Sequence, residues 1–256
     1  MSIERVIINV SDVPRSVAFY RRYLQARVVG TATSERALLD VVTATIELVR
    51  IEQPEASTWE QDDVQRGFRH VGFKVASVDP LVAELKAEHI LFHIDPLDAE
   101  GGVRISFFFD PDNTLLEVVE GALQYHEVVD RAGVEADWAL GVPDRPRFDH
   151  VAETVNDFSE TRDYYGRYGF THIGTIHQPA DPRGFEINYL KAGDSVLEVF
   201  TYDSAKKRLR VPQLAAPGFV AVAITGATPE ATAFGSAANG SRVFADFDGL
   251  LYTAGA

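Results

Sequence analysis

Three glutamates stand in the middle of short apolar stretches that are typical of β-strands. Glu47 lies in TIELV, Glu117 in LLEVV and Glu198 in VLEVF. A buried carboxylate costs several kcal/mol of folding free energy unless it is paired, hydrogen-bonded or bound to a metal. One such strand alone fits a sheet edge with its glutamate in water. Three of them in one chain favour a specific role for these carboxylates.

Two histidines occupy matching positions upstream of two of these glutamates. His70 is the third residue of FRHVGFKVAS and His150 is the third residue of FDHVAETVND, and Glu117 and Glu198 follow at nearly the same interval. A related stretch, IERVIINVSD, has Arg5 in that place. Either histidine alone would more often be a core residue, but two at equivalent positions favour metal ligation. Because the chain has no cysteine, any metal must be held by His, Asp or Glu.

These stretches belong to a repeated unit of one strand, one helix and three strands. The β-branched and aromatic content of the opening stretches predicts strands. Helix signals follow them: VPRSVAFYRRYL has helical spacing, Asp79 before Pro80 predicts an N-cap, and Asp157 with Glu160 forms a capping-box pattern. The unit is about 50 residues long and occurs four times, and its last copy, which opens with GFVAVAITGA, is degraded.

The copies also pair at a longer period, which predicts two domains. A first-strand residue, a helix-capping aspartate and a helix tyrosine recur with the same spacing in both halves: Arg5, Asp12, Tyr20, His150, Asp157 and Tyr165. We expect one domain at 1–131, made of units one and two, and another at 148–256, made of units three and four. The segment 132–147, rich in Gly, Pro and charged residues, is the predicted linker.

Composition restricts the class of protein. The chain has 256 residues, 46% of them hydrophobic, and a net charge of -14. That charge argues against a nucleic-acid partner, which needs a basic face, and against an anionic membrane surface. We see neither a signal-peptide pattern nor a run of about 18 apolar residues. We therefore expect a cytoplasmic protein, monomeric or homodimeric, whose partner is a small molecule.

The pattern resembles the vicinal oxygen chelate superfamily, which includes glyoxalase I, methylmalonyl-CoA epimerase, extradiol dioxygenases and the fosfomycin- and bleomycin-resistance proteins. The resemblance covers nearly the whole chain and rests on the HV strands, the Asp and Tyr spacing after them, the glutamate strands and DPDNTLLE. The usual DPxG turn of the family ends here in Asn113, which tolerates the same left-handed conformation. The resemblance implies an α+β fold of four βαβββ modules that form two cupped mixed sheets.

By this resemblance, each unit offers one residue from its first strand and one from its last strand to a metal in the cup. The four pairs of positions are Arg5 with Glu47, His70 with Glu117, His150 with Glu198, and Val220 with Tyr252. If neighbouring units share a cup, one site has three ligands beside an arginine, which is electrostatically costly, and the other is half a site. If the inner units share a cup, it holds all four His and Glu residues, and the outer cup cannot be a usual metal site. We favour this second pairing because it explains both the kept and the lost ligands.

Two imidazoles and two carboxylates suit one divalent ion of Fe, Co, Ni, Mn or Zn. The resemblance implies a glyoxalase-type isomerase, epimerase or lyase, in which the metal acts as a Lewis acid on a small oxygen-chelating substrate. Glu117 or Glu198 then takes a proton beside a carbonyl. An Fe(II) dioxygenase is an alternative, although such sites usually use two histidines and one carboxylate. A small-molecule or antibiotic-binding resistance protein without catalysis is another.

Overall fold

The structure is a computed structural model, and it describes residues 1–203, 205, 207–227 and 233–255. The helices are α1 (Val13–Tyr23), α2 (Val78–Ala87), α3 (Arg131–Ala139) and α4 (Phe158–Gly166). The strands are β1 (Ile3–Val10), β2 (Arg27–Val29), β3 (Arg36–Asp40), β4 (Thr45–Arg50), β5 (Gln65–Lys74), β6 (Phe92–Ala99), β7 (Val103–Phe109), β8 (Leu115–Glu120), β9 (Glu127–Val128), β10 (Arg147–Thr154), β11 (Thr171–His177), β12 (Phe185–Ala192), β13 (Ser195–Tyr202), β14 (Arg208–Leu209), β15 (Gly218–Ile224), β16 (Gly235–Ser236), β17 (Arg242–Ala245) and β18 (Leu251–Ala254). In the described part of the chain, none of the helices combines the length and hydropathy that spanning a bilayer requires.

The order of these elements follows the predicted unit. A strand, a helix and three strands occur in β1 to β4 with α1, in β5 to β8 with α2, and in β10 to β13 with α4. The fourth unit opens with β15 and ends with β16 to β18, and its expected helix falls partly on residues 228–232, outside the described residues. The α+β class with four βαβββ modules in two cupped mixed sheets is confirmed.

Two of the predicted helix starts are confirmed, and one is wrong. Asp12 caps α1 and Asp157 caps α4, because each side chain accepts hydrogen bonds from backbone N–H groups of the first turn. Helix α2 begins one residue after Ser77 rather than after Asp79, and the Ser77 side chain makes no capping bond. Instead, the carboxylate of Glu120 accepts a hydrogen bond of 2.8 Å from the N–H of Val78. A residue remote in sequence therefore does the capping.

The sheets pair the two inner units with each other and the two outer units with each other. The ten-stranded sheet has the order β6-β7-β8-β5-β10-β13-β12-β11-β9, with β14 beside β5. The eight-stranded sheet has the order β16-β17-β18-β15-β1-β4-β3-β2. At each centre the opening strands of two units run antiparallel, β5 with β10 and β1 with β15. The pairing that the distribution of candidate ligands favoured is confirmed.

The predicted linker, 132–147, contains most of α3 and reaches the first residue of β10. Each sheet draws one unit from either side of this segment. The division into domains 1–131 and 148–256 therefore stays a prediction about independently folding parts of the chain.

Equivalent tyrosines hold units that are neighbours in sequence. The hydroxyl of Tyr20 on α1 donates to Asp110, in the turn before β8, at 2.8 Å. The hydroxyl of Tyr165 on α4 donates to Asp246, in the turn before β18, also at 2.8 Å. Both tyrosines are buried on the helix side of the sheets. Side-chain bonds thus join units one to two and three to four, while strand pairing joins the inner units and the outer units.

Glu153 in β10 is a fully buried carboxyl group whose ionisation is costly. Its side chain lies beside another carboxyl, that of Asp246. Burial raises the pKa of Glu153 well above its ordinary value, and the charges of Asp246 and Asp248 raise it further. A carboxyl whose pKa is higher in the folded than in the unfolded chain makes the folded protein less stable as the pH rises from the unfolded to the folded pKa. The protein is therefore destabilised at Glu153 as the pH rises above about 4.3, the ordinary glutamate value.

Replacing Glu153 with glutamine removes this titration. We expect the unfolding free energy of Glu153→Gln, relative to the unmodified protein, to increase as the pH rises above about 4.3, with a slope of at most about 1.4 kcal/mol per pH unit. Thermal unfolding at a series of pH values measures the difference. The exposed Glu135→Gln serves as the control. A difference for Glu153→Gln that stays constant with pH would contradict this account.

Candidate metal centre

His70 and His150 lie on the two central strands of the ten-stranded sheet. In the antiparallel pair of β5 and β10, Ala152 faces His70 and Gly72 faces His150. A Cβ atom at Gly72 would lie 2.0 Å from Cε1 of His150, so a larger residue there would displace the imidazole. The small residues opposite the two histidines let both rings project from the same face of the sheet.

Glu117 and Glu198 come from the strands that flank this central pair. Strand β8 runs parallel to β5 with Glu117 in register with Gly72, and β13 runs parallel to β10 with Glu198 in register with Ala152. Residues in register on neighbouring strands project from the same face of a sheet. Both carboxylates therefore lie on the face that carries the imidazoles.

The four side chains converge on one point. Nε2 of His70 lies 3.0 Å from Nε2 of His150. It lies 3.1 Å from Oε2 of Glu117 and 3.2 Å from Oε2 of Glu198. Nε2 of His150 lies 2.9 and 3.3 Å from the same two oxygens. The structure thus brings together all four of the residues predicted from the sequence, and all four are buried.

The spacing and the chemistry of these donors fit a divalent metal ion. Metal–nitrogen and metal–oxygen bonds of about 2.0–2.2 Å place neighbouring donors of one ion about 3 Å apart. The separations between imidazole nitrogens and carboxylate oxygens, from 2.9 to 3.3 Å, match that spacing. Two buried carboxylates at this distance also need positive charge beside them. The group could hold a metal ion.

The carboxylates around His150 govern the protonation of the group. Burial opposes a charge on His150, but the charge of Glu198 and hydrogen bonds to Asp149 and Glu117 outweigh it and raise the pKa of His150 well above its ordinary value. Burial also opposes a charge on Glu117, but hydrogen bonds from His150 and His70 outweigh it and lower the pKa of Glu117 to about 2. Glu117 is therefore ionised at neutral pH, as a metal ligand must be.

Asp149 orients His150 from outside the four-residue group. Oδ2 of Asp149 lies 3.1 Å from Nδ1 of His150, and Oδ1 accepts a hydrogen bond of 3.0 Å from Nη1 of Arg147. Burial raises the pKa of Asp149, but the hydrogen bond with His150 and the charge of Lys74 outweigh it and hold that pKa below its usual range. A carboxylate on the far nitrogen of an imidazole fixes the ring and leaves Nε2 for a metal.

Asp149 and Arg69 occupy irregular positions in the strand pairing. The register of β5 and β10 shifts at Asp149 in one strand and at Arg69 in the other, so each directly precedes a histidine of the site. A β-bulge of this kind re-aims a side chain that regular alternation would send to the opposite face. The sequence analysis missed both residues because it assumed that successive side chains of a strand point strictly to alternate faces of the sheet. The available signal was a charged residue directly before each histidine.

The face that carries these groups lines a cavity of about 480 Å³. Much of its wall is aromatic or aliphatic and includes Ile105, Phe107, Phe185, Ile187, Val196 and Phe200. Arg69, Lys74 and Asp149 also line it. An apolar pocket with a few convergent polar groups is typical of a small-molecule site.

Comparison with known proteins identifies the family. A family model described as the Glyoxalase/Bleomycin resistance protein/Dioxygenase superfamily matches residues 2–118. The uncharacterized protein YwkD of Bacillus subtilis (strain 168) is 36% identical to this chain over 126 residues, which are 46% of the chain and 96% of YwkD. The chain belongs to this superfamily.

Glyoxalase I from Zea mays has the same superfamily fold. Its crystal structure is 16% identical in sequence and has a TM-score of 0.67, with 99% of this chain and 91% of the Zea mays chain covered. A mutant of that enzyme has a TM-score of 0.68, with 98% of this chain and 90% of the mutant chain covered. The likeness extends over both sheets and therefore shows the fold of the whole chain.

The outer sheet of this superfamily member carries an ion-pair cluster where the inner sheet carries its donors. Glu47 is fully buried, and its carboxylate lies 3.0 Å from Nη1 of Arg5 and 2.6 Å from Nε of Arg36. Two guanidinium groups thus neutralise the one glutamate of this cup. Among the described residues, no second convergent group of three or more His, Asp or Glu donors is found.

The predicted positions of the fourth unit, Val220 and Tyr252, are wrong by one residue. Strand pairing puts Ala221 opposite Ile7 and Thr253 beside Ala223. Ala221 is therefore the position equivalent to a histidine of the inner cup, and Thr253 is the position equivalent to a glutamate. A slip of one residue along a strand moves a side chain to the other face. Accordingly, the hydroxyl of Tyr252 lies 2.5 Å from the hydroxyl of a tyrosine on α4, on the helix side. Neither alanine nor threonine restores a usual metal site.

Proposed function

We propose that the protein is a metal-dependent enzyme of the glyoxalase type, an isomerase, epimerase or lyase that moves a proton next to a carbonyl of a small oxygen-chelating substrate. The observation that carries the proposal is the convergence of two imidazoles and two carboxylates inside an apolar cavity. The predictions of a cytoplasmic location and of a monomeric or homodimeric state stay predictions.

His70, Glu117, His150 and Glu198 are the residues that would hold the metal, one divalent ion of Fe, Co, Ni, Mn or Zn. When bound, such an ion supplies Lewis-acid stabilisation of the negative charge that develops on substrate oxygens. Asp149 keeps the His150 ring in the orientation that ligation requires. The aromatic wall excludes water and holds the carbon skeleton of the substrate against the polar group.

The two glutamates have different neighbours, which supports different roles for them. Phe107 lies directly across the strand pair from Glu117, whereas Tyr189 lies across from Glu198. The hydroxyl of Tyr189 can donate to Glu198 and hold it in place, whereas the ring of Phe107 has no such donor. We therefore assign Glu198 the role of the more firmly held ligand and Glu117 the role of general base, because the hydrogen bonds from His150 and His70 that lower its pKa would be given up when both Nε2 atoms bind a metal. Proton transfer places the substrate proton on a carboxylate oxygen of Glu117, from which it returns to the neighbouring carbon.

Two other functions fit the superfamily. An Fe(II) dioxygenase usually presents two histidines and one carboxylate, with open positions for oxygen. Here both glutamates lie close to both imidazoles, which favours four protein ligands over three. A resistance protein that only sequesters a ligand needs an apolar cup but has no need of four buried ionisable groups, whose desolvation is costly.

The proposal predicts one bound divalent metal ion per chain. Only the inner sheet brings His and Glu donors together among the described residues, whereas Glu47 of the outer sheet is already neutralised by arginines. Elemental analysis of protein purified without an affinity tag and dialysed against Zn²⁺ measures the ratio. Two equivalents of metal per chain would contradict the claim that arginines occupy the outer cup. A metal-free protein would contradict the metal dependence.

Exchange of a carbon-bound hydrogen with solvent deuterium tests the reaction class. We expect protein loaded with Zn²⁺, Co²⁺, Ni²⁺, Mn²⁺ or Fe²⁺ to exchange the hydrogen next to the carbonyl of α-hydroxycarbonyl compounds under anaerobic conditions, as followed by NMR. Metal-free protein serves as the control. Turnover that requires oxygen and places two oxygen atoms in the product would favour the dioxygenase instead.

A further inference from the structure

Arg69 is a buried cation with an unused hydrogen-bond donor. The residue is 4% exposed. Its Nη2 donates to the backbone oxygen of Glu60 at 3.1 Å, and its guanidinium lies 5.2 Å from the ring centroid of Trp59. Its Nη1 has no hydrogen-bond partner among the described residues. Leaving a buried donor without a partner is costly, so this one calls for an acceptor.

The charge of Arg69 has no carboxylate partner of its own in the described part of the chain. Asp63, Asp62 and Glu60 contribute favourable charge from a distance, and both oxygens of Asp63 already bind Arg183, at 2.8 and 3.0 Å. Arg210 adds a second buried cation rather than an anion: burial and the charge of Arg69 lower the pKa of Arg210 to about 10, and its Nε is also unpaired. Arg69 therefore lines the cavity as a cation with a free donor and, among the described residues, without an ion-pair partner of its own.

The position of Arg69 relates this charge to the four-residue group. Arg69 directly precedes His70, and the irregular register at that point brings it to the lining of the same cavity. Within that group, the two glutamates would balance the charge of one divalent ion. Arg69 thus offers an anion a separate binding partner, since Lys74, the other cation that we name in the lining, already acts on Asp149. The apolar wall of the cavity fits the carbon chain between the two ends of a ligand.

We propose that Arg69 is the specificity-determining residue that binds a carboxylate of the substrate, at a distance from the substrate oxygens that face His70 and His150. The proposal rests on the proposed function and adds to it a substrate class, an oxygen chelator with an anionic tail. A guanidinium binds a carboxylate through charge-assisted hydrogen bonds in a fixed geometry, which a lysine reproduces only in part.

Matched probes isolate the contribution of the tail. Hydroxamates that end in a carboxylate, built on succinate, glutarate and adipate, share their chelating end with their own methyl esters, which lack the charge. Binding of each acid and ester to Zn²⁺-loaded protein is measured by calorimetry, so the readout is affinity rather than turnover. Glutarate, which needs no chelating end, is titrated against the metal-free and the loaded protein while tryptophan fluorescence is followed, because Trp59 lies beside Arg69.

The variants are Arg69→Met, Arg69→Lys and, as the matched control, the exposed helix residue Arg22→Met. We expect the unmodified protein and Arg22→Met to prefer the best-fitting acid over its ester by about 10- to 100-fold, which corresponds to one or two charge-assisted hydrogen bonds. Arg69→Met abolishes the preference and Arg69→Lys keeps part of it. Because methionine fills a similar volume and removes an unpaired buried charge, the variant should remain folded, which thermal unfolding checks.

The outcomes separate this proposal from the proposed function. Equal binding of acid and ester by the unmodified protein, or a preference that survives in Arg69→Met, overturns the role of Arg69 and leaves the metal centre intact. Failure of every hydroxamate, combined with Arg69-dependent binding of glutarate, supports Arg69 and contradicts the metal centre. Failure of both the hydroxamates and glutarate in the unmodified protein overturns both.

Discussion

His70→Ala and His150→Ala each abolish metal binding, whereas Glu47→Gln leaves it unchanged. The two imidazoles lie 3.0 Å apart and face both glutamates of the inner sheet, so loss of either ring removes a donor and leaves the carboxylates without their partner. Glu47 is a suitable control because it is a buried strand glutamate at the equivalent position of the outer sheet. Calorimetric titration with Zn²⁺ gives the affinities.

A third variant, Asp149→Asn, should have an intermediate effect on metal affinity. Asp149→Asn weakens the contact to Nδ1 of His150 without removing a donor, and loss of such an outer partner typically costs about 10- to 100-fold in metal affinity. The two histidine variants should lose more than that. If Glu47→Gln strips the metal while His150→Ala spares it, the metal lies in the outer sheet and the account of the inner cup is wrong.

Glu117→Gln is expected to reduce turnover by about 10²- to 10⁴-fold, the usual cost of losing a general base, with a much smaller effect on substrate binding. Glutamine keeps an oxygen donor on a side chain of the same length but cannot accept the substrate proton. Separate determination of kcat and KM, together with the rate of deuterium exchange at carbon, distinguishes a lost base from a lost ligand.

Glu198→Gln is the matched comparison for Glu117→Gln. We expect a smaller loss in kcat, because the hydroxyl of Tyr189 across the strand pair can hold Glu198 in place as a ligand. A larger loss for Glu198→Gln would transfer the role of the base to that residue. Unchanged exchange in both variants would contradict proton transfer by either glutamate.

The residues of the inner site could be predicted from the sequence because each is an ionisable residue within a stretch that otherwise predicts a buried strand. A glutamate inside an apolar strand and a histidine at a repeated position are both unusual, and the repeat showed that they belong together. The pairing of units could be predicted only indirectly, from which positions kept their donors. Strand pairing between remote units is set by long-range contacts, such as those between β5 and β10, that local patterns do not encode.

Most of the features that the sequence did not reveal depend on strand register. Arg69 and Asp149 reach the cavity lining because the pairing of β5 and β10 shifts at them, and strict alternation gives no sign of such a shift. The equivalent positions in the last unit, Ala221 and Thr253, were missed by one residue for the same kind of reason. The early start of α2 has a different cause, because a carboxylate distant in sequence, Glu120, accepts a hydrogen bond from its first turn.

The most direct test of the central claim is the position of a metal in crystals of the protein grown with Zn²⁺, with diffraction data collected at the zinc absorption edge. The account predicts one strong anomalous peak per chain, at about 2.0–2.2 Å from Nε2 of His70, from Nε2 of His150 and from one oxygen each of Glu117 and Glu198. No peak between these four side chains, or a peak beside Glu47, would contradict it.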